Sequence, residues 1–506
     1  MRSRLCARRG AAAAGGSGTD QLVRPRRTER QPGGAPRRRR LDGTSLRMGS
    51  AHMHVLFVNP DVRDKSVIYG NRMLNPVPVN LGYRAAMTAA EHQVTVVDEN
   101  ATPITDFAAF ADVDLVAVTS KFFGERRTAE LAHGFGELGT PVVIDGYFPS
   151  YAPEAERINV SSIIRGEVEQ VWPQVLADAV RGRLRPCYLG GPVDLATLPQ
   201  YGPEHLPPHD YVFPVEATRG CPFSCNFCIE TRFHHEVFRT RPIDRVLAQI
   251  EARTGDFVQF SDINIVGNPR YARTLFTELE PLRVLWGSQA TITIAQRESL
   301  AQAAGRAGCM LVFIGLESVR PQNLISSDKS WSRPTDYRKL IARLHDAGIG
   351  VIGSFVFGFA GDTPDVFERT LEFVVENEIE ICHFNPLGSG PGVPLYQEHL
   401  REGRMLDPGP GGPSHLRACV APVAMTVGQL VDGLEYLYTT TYSRAVTRQR
   451  LRRYVGTDPL PGPQPAAKKR AVIGLNLAYR QAVERLYESP VGAGRSGAAP
   501  DMERRP

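Results

Sequence analysis

The sequence predicts an α/β chain in three parts: a doubly wound parallel sheet, an open barrel of six strand–helix units, and a helical C-terminal region. Three observations carry this. Short apolar runs alternate with helical periodicity from residue 53 to about 180. The same alternation recurs six times over 210–400. Between the two lies 186–209, a linker dense in proline and glycine.

Met53–Asn59 (MHVLFVN) reads as a buried parallel strand. Tyr83, Ala86, Met87 and Ala90 recur at helical spacing. Strands follow at Val94–Asp98, Asp114–Ser120, Pro141–Asp145 and Ser161–Arg165, with helices over Thr128–Leu138 and Glu167–Val180. Strands alternating with helices give a doubly wound, flavodoxin- or Rossmann-like domain over 53–185. Such sheets take ligands at the carboxyl ends of their strands. His92 and His133 fall in helical stretches and are expected at the surface.

In 210–400, strands are predicted at Tyr211–Thr218, Phe257–Ile263, Val284–Ala290, Cys309–Leu316, Gly350–Phe359 and Ile379–Pro386. Five amphipathic helices join them. Right-handed crossovers curl such a sheet toward a barrel, and six units are too few to close one of eight. The strand ends are polar: Ser261, Asp262, Asn264, Ser288, Gln289, Glu317, Ser318, His383 and Asn385. Beyond 401, helices at Leu430–Tyr442 and Leu475–Tyr487 are rich in tyrosine. They either close over the barrel or pack as core. Asp407–Pro413 reads as a linker, and 489–506 as a disordered tail.

Chemistry concentrates after the first barrel strand. Cys221, Cys225 and Cys228 form C-x3-C-x2-C, three of the chain's eight cysteines within eight residues. Three thiolates hold three irons of a [4Fe–4S] cluster and leave the fourth open for a ligand. Structural zinc is the alternative. It wants four ligands, and His234 and His235 lie near enough in sequence to supply one. Cys6, Cys187, Cys309, Cys382 and Cys419 are scattered singly, and Cys309 and Cys382 read as buried core thiols.

At the cysteine loop, with Phe227 just before its last cysteine, the chain resembles the radical S-adenosylmethionine (SAM) enzymes. The resemblance implies that SAM chelates the open iron and is cleaved to a 5′-deoxyadenosyl radical, with Phe227 counted in the SAM site. Residues 53–185 are similar to the cobalamin-binding domain that precedes some radical SAM barrels, at PVNLGY (78–83), DLVAVTS (114–120), the Gly146 turn and Gly166-Glu167-Val168-Glu169. By that resemblance Thr119, Ser120, Gly146, Gly166 and Glu167 line the nucleotide tail or corrin. No D-x-H-x-x-G follows the first strand, so no lower histidine ligand is offered. The runs FSDIN (260–264), WGSQA (286–290), FIGLES (313–318), GSFVFG (353–358) and PGVPLY (391–396) resemble the cobalamin-linked subfamily. They imply Asp262 at SAM's amino group, Glu317 and Ser318 at its ribose, and Gln289 facing SAM or substrate. Ser261 stands where the family usually has a further acid.

The resemblance implies a cobalamin-dependent radical SAM methyltransferase acting on an unactivated carbon of a small molecule or lipid. It also implies an electron donor such as ferredoxin or flavodoxin. The alternatives are a relative that catalyses cyclisation, rearrangement or oxidation, and a non-catalytic zinc protein. The net charge of +5 is carried by the N-terminus: residues 1–47 hold thirteen arginines and three acids, +10, so the rest carries −5. A mildly acidic body argues against a nucleic-acid binder. Residues 1–52 are expected to be disordered, with Met48 or Met53 the native start. A transit peptide, or a targeting or nucleic-acid patch at Arg37–Arg40, is the other reading. No apolar run reaches the length of a membrane span, and clustered cysteines with no paired framework in their spacing point to a reducing cytoplasm.

Overall fold

The computed structural model describes residues 52–61, 77–121, 124–207, 212–253, 257–407, 417–455 and 459–487. Nearly all of the expected N-terminal extension, the 489–506 tail, and the expected 407–413 linker after its first residue lie outside the described residues.

The first sheet has six parallel strands: β1 (His54–Asn59), β2 (Gln93–Asp98), β3 (Leu115–Thr119), β4 (Val142–Asp145), β5 (Ser162–Gly166) and β6 (Cys187–Gly190). Their order is β2-β1-β3-β4-β5-β6. Alternate residues of β1 serve two cores. Val55 and Phe57 join the large core that continues into the second sheet. Leu56 and Val58 pack with Leu131 and Phe135 on the other face. β6 falls inside the stretch expected as linker. His92, expected at the surface, is buried, with its Nδ1 3.3 Å from the backbone N–H of Met53. His133 is exposed as expected.

The second sheet comprises β7 (Phe213–Val215) and then, after the small antiparallel pair β8 (Thr218–Arg219) and β9 (Arg239–Thr240), β10 (Phe257–Phe260), β11 (Leu285–Gln289), β12 (Cys309–Glu317), β13 (Gly350–Phe357) and β14 (Ile381–Pro386). Its order is sequential, β7-β10-β11-β12-β13-β14, and every pair is parallel. Five helices cross over between these strands: Ile243–Glu251, Pro269–Leu279, Glu298–Arg306, Pro334–Asp346 and Asp365–Glu376. Each buries one face, as with Ala272, Leu275, Phe276 and Leu279. Cys309 and Cys382 are core thiols as expected.

The C-terminal helices Val427–Thr441 and Pro465–Tyr487 pack on the β14 edge. Tyr438, Tyr442 and Tyr479 are buried there, so they are core. Among the described residues, no helix is long and apolar enough to cross a membrane.

Candidate active site

The carboxyl ends of both sheets face one cavity of about 610 Å³. From the first sheet come Thr119, Ser120, Asp145, Gly146, Gly166 and Glu167; from the second come Ser261, Gln289, His383 and Asn385. The cavity thus lies where both fold types place ligands. Arg219 and Glu230, which flank the three cysteines, also line it.

The cysteine loop runs from β8 to the short helix Ile229–Phe233. Gly220 turns into it at φ +85°, and a Cβ there would meet the Val237 carbonyl at 2.5 Å. Cys221, Cys225 and Cys228 are free and half-buried. Burial pushes all three thiols up, Cys225 to about 12, so their thiolates need a compensating cation such as cluster iron. Asn264 Nδ2 lies 3.6 Å from Cys221 Sγ and Thr231 Oγ1 3.9 Å from Cys228 Sγ. Among the described residues, no three of His, Cys, Asp and Glu close around a single-ion site. A cubane does not ask for that, since each thiolate holds a different iron. His234 is committed elsewhere, with Nδ1 3.0 Å from Glu167 Oε1.

The residues expected at SAM divide. Gln289 is exposed at the end of β11 and lines the cavity. Phe227 is half-buried within the loop. Glu317 leaves β12 at φ +61° and pairs with Lys329 at 2.6 Å, and the charges of both reach Cys225. Ser318 Oγ accepts from Asn323 Nδ2 at 2.9 Å. Asp262 is not among the residues that line the cavity. It is fully buried and accepts from Ala217 N (3.0 Å), Thr218 N (2.5 Å) and Thr218 Oγ1 (2.6 Å). Burial outweighs those bonds and pushes its carboxyl up to about 7. Its neighbours Ser261 and Ile263 face the cavity, while Asp262 braces the strand that leads to the cysteines.

On the cobalamin side, Gly146 (φ +103°) and Gly166 (φ +81°) form turns closed to side chains. A Cβ on Gly146 would meet the Ser120 carbonyl at 2.5 Å, and one on Gly166 would clash with the Gly190 carbonyl. Thr119 Oγ1 is spent on Arg84 and Asp145, and Ser120 Oγ accepts from Thr128. Glu167 also lines the cavity. Its carboxylate is consumed by Arg239, by Arg219 (3.2 Å), by His234, and by Val193 N (2.9 Å). Arg219 also binds Glu169 (2.9 Å) and Glu216 (2.8 Å). This buried cluster ties the first sheet to the cysteine loop. Three polar atoms of lining residues are buried without partners: Asn80 Oδ1, Ser261 Oγ and Asn385 Oδ1. A ligand with polar edges, as SAM and cobalamin both are, fits such a wall.

Sequence reasoning missed Arg219, Lys329 and Arg239. Arg219 stood next to the motif, but nothing local marks an arginine as an interdomain tie. It also missed Trp331, which stacks on Phe223 of the cysteine loop at 4.0 Å between ring centroids.

The radical SAM superfamily profile matches residues 215–374. The bacteriochlorophyllide d C-12(1)-methyltransferase of Chlorobaculum tepidum is 32% identical over 344 residues, 65% of this chain and 75% of that protein. The hopanoid C-2 methylase of Rhodopseudomonas palustris is 24% identical over 65% of each. In fold, the chain is similar to the radical SAM methyltransferase TsrM from Kitasatospora setae, solved with tryptophan and a SAM analogue (TM-score 0.62, 15% identity, 87% of this chain and 100% of that one). It is also similar to OxsB with aqua-cobalamin bound (TM-score 0.58, 13% identity, 89% and 82%). The zinc alternative falls with these matches: the chain belongs to the radical SAM superfamily, among its methyltransferases with a cobalamin-binding-type domain ahead of the barrel.

Proposed function

We propose that this enzyme transfers a methyl group from SAM to an unactivated carbon of a small molecule or lipid, with cobalamin in the cavity between its two sheets. The observation that carries this is the shared cavity itself. Methyl carrier and radical site must reach one substrate carbon, and here both sheets present their carboxyl ends to one space beside the cysteine loop. When bound, the cluster and SAM supply a radical that removes hydrogen from carbon, and cobalamin supplies the methyl carrier.

The chain's own residues position and shield. Cys221, Cys225 and Cys228 hold three irons, and Asn264 and Thr231 orient the outer two thiolates. Glu317 beside Lys329, Ser318 and Gln289 form the SAM side, with Phe227 on the loop. Thr119, Ser120 and the Gly146 and Gly166 turns form the cobalamin floor. No histidine comes from that floor among the described lining residues. The electron comes from an external donor such as ferredoxin or flavodoxin. Relatives named as methyltransferases match over more of the chain than do the magnesium-protoporphyrin ester cyclases, which favours methyl transfer over cyclisation.

The test is anaerobic reconstitution with iron, sulfide and hydroxocobalamin, followed by SAM and dithionite. We expect about four irons and one cobalt per chain, with 5′-deoxyadenosine and S-adenosylhomocysteine both formed. Cys225→Ala should lose the cluster and the deoxyadenosine. Iron without cobalt, or deoxyadenosine without S-adenosylhomocysteine, would overturn methyl transfer through cobalamin.

A further inference from the structure

The three cysteines do not share one electrostatic setting. At Cys221 and Cys225 burial raises the thiol and the charge of Lys329 draws it down. At Cys228 burial raises the thiol first, and the carboxylate of Glu230, two residues on, raises it further. The backbone N–H groups of Thr231 and Glu230 donate to the same sulfur. One side of the cluster site therefore faces a cation and the other an anion.

Glu230 is held in place from the other domain. Its side chain is 31% exposed and lines the cavity. The Tyr147 hydroxyl donates to its Oε2 at 2.5 Å, and His234 Nε2 lies 3.7 Å from the same oxygen. The Tyr147 ring packs on Phe233, from the same short helix as Glu230, at 4.5 Å between centroids. Tyr147 belongs to the first domain, where it opens the helix Tyr147–Tyr151 directly after the Gly146 turn. Burial, and then the charge of Glu230, push its phenol well above the ordinary range, so it is a neutral donor. Neighbouring guanidinium groups have other partners: Arg219 binds Glu167, Glu169 and Glu216, and Arg232 pairs with Glu236. The charge of Glu230 also reaches Lys121 on the floor, where that of Asp98 acts more strongly.

Charge and hydrogen bonds beside an iron–sulfur cluster set its potential, and groups behind the ligands tune a metal site as well as the ligands do. A carboxylate beside the cluster repels an incoming electron. It lowers the potential and makes the reduced cluster the stronger reductant. We propose that Glu230 supplies the charge that lowers the cluster potential at Cys228, and that Tyr147 is the positioning residue that holds it there from the first domain. One electron enters from the external donor and leaves to SAM; Glu230 and Tyr147 exchange neither electron nor proton. The reducing power of the cluster then depends on a contact between domains, because the carboxylate stays beside Cys228 only while the Gly146 turn is docked. This rests on the cluster and holds whatever group the enzyme transfers.

The test is a redox titration of the cluster-reconstituted full chain, without SAM or cobalamin and at one pH and ionic strength. The reduced cluster is read by electron paramagnetic resonance. Removing the charge with Glu230→Gln or Glu230→Ser should raise the midpoint. At a fixed potential the ratio of reduced to oxidised cluster should grow about tenfold, or about 59 mV for a one-electron couple. Glu230→Asp keeps the charge and should stay closer to the wild type than either. Tyr147→Phe should shift the midpoint in the wild type and leave it unmoved in a Glu230→Gln background, as expected of a coupled pair. Retained iron marks an intact site in each variant. An unmoved midpoint in whichever charge-removing variant keeps its iron would overturn the role of Glu230. A Tyr147→Phe shift that is absent, or that persists without the carboxylate, would overturn the role of Tyr147. A wild type that gives no reduced-cluster signal would instead overturn the cluster itself.

Discussion

Glu167 holds two domains through one carboxylate. Burial pushes that carboxyl up, but bonds from Arg239 and His234 and the charge of Arg219 outweigh burial and hold it well below the ordinary range. Replacing Glu167 with Gln takes the counter-charge from Arg239 and leaves Arg219 with Glu169 and Glu216, which costs about 3–5 kcal/mol for a broken buried pair. The pH dependence has a definite sign. A group that titrates lower when folded contributes its stability above its unfolded value of about 4.3 and loses it as the pH falls below that. Urea midpoints followed downward from pH 6 should therefore drop in the wild type, and the drop should be shallower in Glu167→Gln. An unchanged acid limb would assign the acid sensitivity elsewhere. The role of this residue was not legible in the sequence. The run at 166–169 marked it as notable, but its partners come from Val193, Arg219, His234 and Arg239, each brought in by folding. The orientation of Asp262 was hidden for a related reason: the strand's alternation decides which of Ser261 and Asp262 faces the cavity, and the run FSDIN does not show where the strand ends. The cysteines were legible because one loop supplies all three ligands.

At the scale of elements, β14 is an edge, and edges need cover. The structure covers it with side-chain hydroxyls. Tyr442 OH accepts from Cys382 N at 3.0 Å and donates to Cys382 O at 2.9 Å, and Tyr438 OH accepts from Phe384 N at 3.1 Å. Arg450, fully buried, donates to the carbonyls of Ile379 and Glu380 at 2.8 and 2.7 Å. The tyrosine-rich helices therefore do the work of a seventh strand without being one. Tyr442→Phe keeps the ring and strands one buried N–H and one carbonyl, so we expect a loss of about 1–3 kcal/mol in urea unfolding, with the helix content by circular dichroism unchanged. A loss within a few tenths would mean that water enters and replaces the hydroxyl. The long strands and amphipathic helices were legible because periodicity is local. β6, with only Cys187–Gly190, and the two-residue strands β8 and β9 were not. Their sequences carry no alternation, and only the neighbours they pair with make them strands.

At the scale of the whole molecule, the stretch that separates the two sheets in sequence is what joins them in space. Tyr201 is buried between them. Its ring lies edge-on to Tyr83 of the first domain at 5.0 Å and 6.1 Å from Phe213 on β7, and its hydroxyl donates to the Pro214 carbonyl at 2.7 Å. Gly82 makes room for it: a Cβ there would lie 2.7 Å from the tyrosine ring. The apolar core runs without a break from Val55 through Tyr201 to Val215 and Val258. A linker of prolines and glycines would leave two halves free to unfold separately; a pegged one couples them. Hydrogen exchange followed by mass spectrometry under mild urea should show peptides from β3 and β12 losing protection together in the wild type. Tyr201→Ala removes the peg at a cost of about 3–5 kcal/mol for a buried aromatic, and there the β3 peptide should lose protection at lower urea than the β12 peptide. If the two still open together, the ionic cluster around Glu167 suffices to couple the halves. Either way, the coupling bears on function, because a cavity built from both sheets keeps its shape only while they stay in register with each other.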